Sequence, residues 1–347
     1  MKFSVIVCVF NGESTIDLAI QSVLAASRSD IEIVVVDDAS TDGTHDKLVH
    51  YGNSIRVLRN GSNIGHARTW GVALAAATGE FIVKLDADDW LLPNYFERVD
   101  SILDERVGMV IPTVFDYAVK TGLATLRPVA IQDTELSAEQ FRSRLLRRIF
   151  FRTPGLALRR SLTLQHAGPD PRVWHDDWEY FLRVTKGARV KVLSEPLAVY
   201  RIHGGSMSGV SRARNNMLRK SLTSFVRIVG DPSEEAYLEP GERRVFVAAV
   251  AKLYLRIIGS EMALSQLGRF PAHLRFALCL AASESFWLAL PVAFFPILAV
   301  IERNVMHRKI RRFTRPIEDL VPKASVAPHA SVSHRIGRPT MGPAGSF

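Results

Sequence analysis

Cysteine is almost absent: Cys8 and Cys279 are the only two in 347 residues, which excludes a disulfide framework. Both sit inside apolar runs, so they are expected as buried hydrophobes of a protein in a reducing compartment. There is no P-loop Gly-Lys-Ser/Thr and no Gly-x-Gly-x-x-Gly fingerprint, which removes P-loop ATP hydrolysis and NAD chemistry. No zinc-finger or RNP motif accompanies the net charge of +9, so nucleic acid is not an expected partner. The first apolar stretch is cut by Asn11-Gly-Glu13 with no small-residue cleavage site behind it, and it reads as a strand rather than a leader. Internal repeats are lacking, and residues 323–347 contain no acidic residue.

What is present is ample for a core, with 47% hydrophobic residues. The excess of basic residues leaves two partner classes, an anionic membrane surface or an anionic small substrate. Residues 5–10, 31–36 and 81–85 are nearly continuous apolar runs, the pattern of strands covered on both faces. Between the first two, Ile16, Ala19, Ile20, Val23 and Leu24 fall on one helical face, with Ser14 or Thr15 as N-cap. A second helix after 37–43, a short strand at 54–58 and a third helix at 66–77 complete an α/β alternation. The expectation is an open, Rossmann-like, mostly parallel sheet with flanking helices, whose ligands lie beyond the carboxyl ends of the strands.

Polar residues gather at those ends: Asn11, then Asp37 and Asp38, then Asp86 and Asp88. In Leu85-Asp-Ala-Asp-Asp-Trp90 a strand runs into clustered carboxylates, the ligands that Mg²⁺ or Mn²⁺ takes together with diphosphate oxygens. A solvated turn capping a helix near Pro93 would use the same residues. The middle, 108–200, offers a strand at 109–113 and a helix at 137–150, with no topology legible from pattern. Beyond 209 the composition turns to helix formers, with an amphipathic stretch at 245–258 and an apolar one at 276–301.

Four segments in register carry a resemblance. Phe3-Ser-Val-Ile-Val-Cys-Val-Phe-Asn-Gly12, Glu32-Ile-Val-Val-Val-Asp-Asp-Ala-Ser-Thr-Asp-Gly-Thr44, Asn63-Ile-Gly-His-Ala-Arg68 and Ala77-Thr-Gly-Glu-Phe-Ile-Val-Lys-Leu-Asp-Ala-Asp-Asp89 resemble the successive motifs of family 2 glycosyltransferases with the GT-A fold. Phe10 stands where the family often has Tyr, and Thr69 where it usually has Asn. The resemblance implies a nucleotide-sugar donor whose base or ribose is met by Asp38, with Asp37 nearby, Asn11 and Glu13 on the same side, and Arg68 near the base or diphosphate. Asp86 and Asp88 form the Asp-x-Asp pair, Asp88 the one in direct contact with Mn²⁺ or Mg²⁺. Taken without the resemblance, Asp37 and Asp38 read as a helix N-cap pair and Arg68 as a solvated helix residue.

Trp174-His-Asp-Asp-Trp-Glu-Tyr-Phe-Leu-Arg183 resembles the family's acidic pair and following aromatic helix. It assigns Asp177 as general base, with Asp176 beside it on the substrate and either Asp176 or Glu179 as substitute. A carboxylate that takes the proton of an attacking sugar hydroxyl typically contributes 10² to 10⁴ fold in rate. The segment 195–208 resembles a closing loop, in which Arg201 offsets phosphate charge and His203 is a further metal ligand, a diphosphate contact or a structural residue. Displacement of the diphosphate from the face opposite the base gives inversion. A glycoside hydrolase needs paired carboxyl groups and no diphosphate-binding metal.

The expected organisation is a GT-A domain over 1–208, split into a nucleotide-binding half (1–105) and an acceptor-side half (106–208). A helical region at 209–275, an apolar helix with basic flank at 276–315 and a disordered tail at 316–347 follow. Segment 276–301 is long enough to span a bilayer, but Glu284, Pro291 and Pro296 interrupt it; spanning, interfacial and buried placements stay open. Arg303, Arg308, Lys309, Arg311, Arg312 and Arg315 behind it attract anionic lipid. The expectation is a membrane-associated enzyme on the cytoplasmic face of the inner membrane, peripheral or held by one helix. It moves glucose from UDP-glucose to a growing, lipid-linked glycan of a bacterial exopolysaccharide or surface polysaccharide. A non-catalytic nucleotide-sugar or glycan-binding subunit is the second reading.

Overall fold

A computed structural model describes residues 1–206 apart from 131, 148 and 174, together with Glu242 and 314–316. The expectations for 209–275, 276–315 and 316–347 otherwise lie outside the described residues. The first half alternates as expected: β1 (Phe3–Val9), α1 (Ile16–Leu24), β2 (Ile31–Asp37), α2 (Thr44–His50), a 3₁₀ turn (Gly52–Ser54), β3 (Arg56–Arg59), α3 (His66–Ala76) and β4 (Phe81–Asp86). Thr15 is the N-cap of α1, but its hydroxyl donates to Gly12 O at 3.3 Å.

The second half comprises β5 (Trp90–Leu91), α4 (Tyr95–Asp100), β6 (Val107–Ala118), β7 (Leu123–Arg127), β8 (Thr134–Leu136), α5 (Ala138–Arg147), β9 (Leu156–Arg159), α6 (Arg160–Thr163), α7 (Asp176–Val184), β10 (Arg189–Ile202) and β11 (Thr314–Pro316). The main path of the sheet runs β11-β7-β6-β9-β4-β1-β2-β3. β1, β2, β3 and β4 pair in parallel, because helices make the crossovers. Beyond β4 the expectation of a mostly parallel sheet fails: β9 is antiparallel to β4 and β6, and β7 to β6. For β7 the physical reason is the tight β6–β7 connection through Gly122 at φ 68°, which permits only a hairpin.

The segment expected as a closing loop differs too. Residues 195–202 belong to β10, which is parallel to β6 and antiparallel to β5 and β8. Pro196 cannot donate to the ladder, and register shifts flank it, so a strand passes as a loop to a reader of composition. Pro316, placed at the start of the tail, instead ends β11, which pairs with β7.

Side chains of β1 alternate between two cores. Val5 and Val7 pack with Ile16, Ile20 and Val23 of α1, while Ile6 packs with Trp70, Leu74 and the aromatic face of α7. Gly79, ahead of β4, has no room for a side chain: an added Cβ would lie 2.6 Å from Ser4 N. Among the described residues no helix is long and apolar enough to cross a membrane.

Candidate active site

The carboxyl ends of β1 and β2 form one wall. Asn11 (φ 53°) and Ala39 (φ 59°) both adopt the left-handed conformation there, a strain that L-residues keep only where surroundings enforce it. Asn11 N donates to Ser40 Oγ at 2.9 Å and its Oδ1 accepts from Thr41 N at 2.8 Å, so the two loops are stitched together. Glu13 joins the same stitching, accepting from Gly43 N at 3.1 Å. Asp37 is fully buried, accepts from Ser40 N at 2.9 Å and faces Arg59 Nε at 3.3 Å and His45 Nδ1 at 3.4 Å.

Asp38 accepts from Asn60 Nδ2 at 2.8 Å and from the amides of Ile64 and Gly65 at 2.9 Å each. Burial pushes its carboxyl up, but these donors and Thr69 together hold it below the usual carboxylate range. Its oxygens therefore shape the loop that opens α3, at whose head Gly65 sits at φ 86°. Arg68, the third residue of α3, is exposed and donates to Ile64 O at 3.4 Å.

At the end of β4 the buried Lys84 reaches back to Asp86, Nζ to Oδ1 2.5 Å, beneath the ring of Trp70 at 5.3 Å. Burial favours the neutral acid of Asp86, yet Lys84 first and His66 second keep it ionised, below the usual range. Thr153 Oγ1 completes its contacts at 3.4 Å. His66, the first residue of α3, stands between Asp86 (4.0 Å) and Asp176 (2.9 Å). Burial lowers the tendency of His66 to protonate, but Asp176 outweighs it and the imidazole is raised above its ordinary value.

Asp176 and Asp177 open α7, whose positive end favours carboxylates. Asp176 Oδ1 accepts from Asp177 N at 3.0 Å, and Asp177 Oδ1 from Trp178 N at 2.7 Å. Burial, and next the charge of Asp176, push the Asp177 carboxyl up, which makes it a stronger proton acceptor once ionised. Behind them Glu179 is fully buried and paired with Arg183, whose guanidinium also donates to the carbonyls of Ala167 and Gly168 at 2.9 Å each. Glu179 is thus committed to holding α7 in place.

The β5–β10 pairing carries the chain end of β10 to the acidic turn. There His203 Nε2 lies 2.8 Å from Asp88 Oδ2, and Arg201 N donates to Asp89 Oδ1 at 2.7 Å. Asp89 is buried; that burial, with Asp88 and Asp86 nearby, raises its carboxyl well above the usual range. Among the described residues no three His, Cys, Asp or Glu side chains form a ready metal cage. A divalent ion bound mainly by diphosphate and water oxygens needs only one or two protein donors, and the half-exposed carboxylate of Asp88 beside the imidazole of His203 fits that demand.

The structure thus brings together Asp86, Asp176 and Asp177 at one place, Asp88, His203 and the Arg201 backbone at a second, and Asn11, Glu13, Asp37 and Asp38 at a third. Sequence reasoning missed His66 and Lys84 as members, and placed Asp89 in the acidic cluster without assigning it a role. Lys84 left a signal, being the one charge in the apolar run 81–85, whereas His66 left none that spacing reveals.

Residues 4–165 match the description Glycosyl transferase family 2. An uncharacterised glycosyltransferase of Nostoc sp. is 34% identical over 236 residues, 65% of this chain and 69% of that protein. The UDP-Glc:alpha-D-GlcNAc-diphosphoundecaprenol beta-1,3-glucosyltransferase WfgD of Escherichia coli is 37% identical over 101 residues, 29% of this chain and 40% of WfgD. The crystal structure of S. aureus TarS 1–349 has a TM-score of 0.58 at 21% identity, over 80% of this chain and 79% of that one. Its complex with UDP-GlcNAc has a TM-score of 0.55 at 18% identity, over 84% and 90%. These likenesses to TarS are likenesses of fold.

Proposed function

The chain belongs to the family 2 glycosyltransferases, and from that premise we propose an inverting, metal-dependent transfer of a sugar from a nucleotide donor to a growing, lipid-linked glycan. It is a glycosyltransferase with similarity to enzymes of polysaccharide synthesis; donor, metal and acceptor are the proposed part. UDP-glucose and a diphospholipid-linked sugar are the substrates in the name of WfgD, and we assign the same classes here. The basic run at 303–312 would draw the enzyme towards the anionic lipid that carries such an acceptor.

The observation that supports the reading is the closeness of β4 and α7. His66 lies 4.0 Å from Asp86 and 2.9 Å from Asp176, so one imidazole joins the donor-side carboxylate to the pair that contains Asp177. In the proposed reaction Asp177 takes the proton of the acceptor hydroxyl while that oxygen bonds to the anomeric carbon and the bond to the diphosphate breaks. Asp38 and its loop hold the nucleoside, and Arg201 lends charge to the phosphates. Asp88 and His203 are the residues that would hold Mn²⁺ or Mg²⁺, which when bound offsets the charge developing on the leaving diphosphate.

A panel of nucleotide sugars, each with and without Mn²⁺, tests this against a diphospholipid-linked sugar acceptor. One donor should give transfer with Mn²⁺, and Asp177→Asn should lower it by about 10² to 10⁴ fold with donor binding intact by calorimetry. Tight donor binding with neither transfer nor hydrolysis for every donor would favour the non-catalytic subunit instead.

A further inference from the structure

We propose that His66, on α3, is a positioning residue for the base on α7, acting through Asp176; this rests on Asp177 being that base. The links are consecutive. Asp38 Oδ2 accepts from Gly65 N at 2.9 Å, and Gly65, at φ 86°, sets the first residue of α3. His66 Nδ1 meets Asp176 Oδ2 at 2.9 Å, and the other oxygen of that carboxylate accepts from Asp177 N at 3.0 Å. A side chain from the nucleotide-binding half therefore fixes the carboxylate that fixes the backbone of Asp177.

The arrangement answers a physical need. Asp176 and Asp177 are adjacent carboxylates at a buried helix start, and left to themselves like charges turn apart. An N–H held on Asp176 by His66 commits it to one rotamer, with its second oxygen turned to the Asp177 amide. Orientation errors of about 1 Å at a reacting group cost about 10²-fold in rate, so the position of this imidazole governs turnover without meeting the substrate. His66 is in turn locked: its ring packs 6.1 Å from that of Trp70, which itself packs on Tyr180 at 5.1 Å and Phe181 at 5.9 Å of α7.

Steady-state kinetics of the full chain, with donor and acceptor each varied, test the inference. His66→Ala should lower kcat by about 10²-fold and leave the donor KM within about twofold. His66→Asn, whose amide N–H reaches the place of Nδ1–H, should recover most of that loss, and His66→Ala should add nothing to Asp177→Asn. A His66→Ala enzyme with unchanged kcat, beside an inactive Asp177→Asn, would overturn the role of His66 while leaving the base assignment intact. A rise in donor KM with constant kcat would also overturn it, making His66 a donor contact. Full turnover by Asp177→Asn would instead remove the reading on which it rests. If His66→Ala melts early, the Asn variant measured at the same temperature decides: equal stability with equal loss of kcat refutes positioning.

Discussion

His203 Nε2 sits 2.8 Å from Asp88 Oδ2, across 115 residues of sequence. The contact exists because β10 runs antiparallel to the two residues of β5, Val199 opposite Trp90, and delivers the residues after Ile202 to the turn that β5 follows. In the proposed function this carboxylate and imidazole, held side by side, would supply two donors of an ion site completed by oxygens from substrate and water.

Removing either donor should therefore weaken the ion more than the sugar nucleotide. For His203→Ala and Asp88→Asn we expect Mn²⁺ affinity to fall at least about tenfold, measured by calorimetry in the presence of UDP. Unaltered Mn²⁺ binding in both variants would place the ion elsewhere.

With Asp177 as the proposed base, the pH dependence of turnover follows from its carboxyl. Burial and then Asp176 raise its carboxyl above the ordinary range, so it is protonated, and useless as a base, at pH values where a free aspartate of pKa about 3.9 is ionised. The acid limb of kcat should lie above that figure, and Asp176→Asn should move it to lower pH. The sign for stability is opposite to that of a salt-bridged aspartate: the raised group costs stability above its unfolded pKa, and the cost is relieved as pH falls through the folded one.

Arg183→Met should destabilise the fold by about 3–5 kcal/mol, because it strands a buried carboxylate. Glu179 has no exposed surface and Arg183 is its ion partner. Thermal melting would register the loss, and adding Glu179→Gln should return part of it; an unchanged melting temperature would show that water replaces the guanidinium.

Membrane attachment should respond to charge. Replacing Arg303, Arg308, Lys309, Arg311 and Arg312 by Gln removes about 1 kcal/mol each, or roughly several thousandfold in partitioning to vesicles containing phosphatidylserine. Equal sedimentation of both proteins with such vesicles would reject the basic run as a membrane contact.

The sequence made β1, β2 and β4 plain because strands buried on both faces must be apolar throughout, and it made their termini plain because Asn11, Asp38 and Asp86 break those runs. β9 was hidden: Leu156–Arg159 is four residues long, and nothing local says that it inserts between β4 and β6. β10 was hidden by Pro196, whose missing N–H marks a break in register rather than the end of a strand. His66 was hidden for a different reason. Its partner Asp176 is 110 residues away, and pairing at that range is set by how α3 and α7 share Trp70, which periodicity does not encode.

The short β11 has a practical meaning. It lies along β7 through Thr314–Thr125, Arg315–Ala124 and Pro316–Leu123, and its proline stands where a further chain would look for a donor. A version of the protein ending after Ser206 would keep the site residues described above but strip that guard, laying bare a row of unpaired amides and carbonyls beside the exposed Leu123. Truncations made for crystallisation should stick to one another through β7, and retaining 314–316 on a short tether should keep them apart.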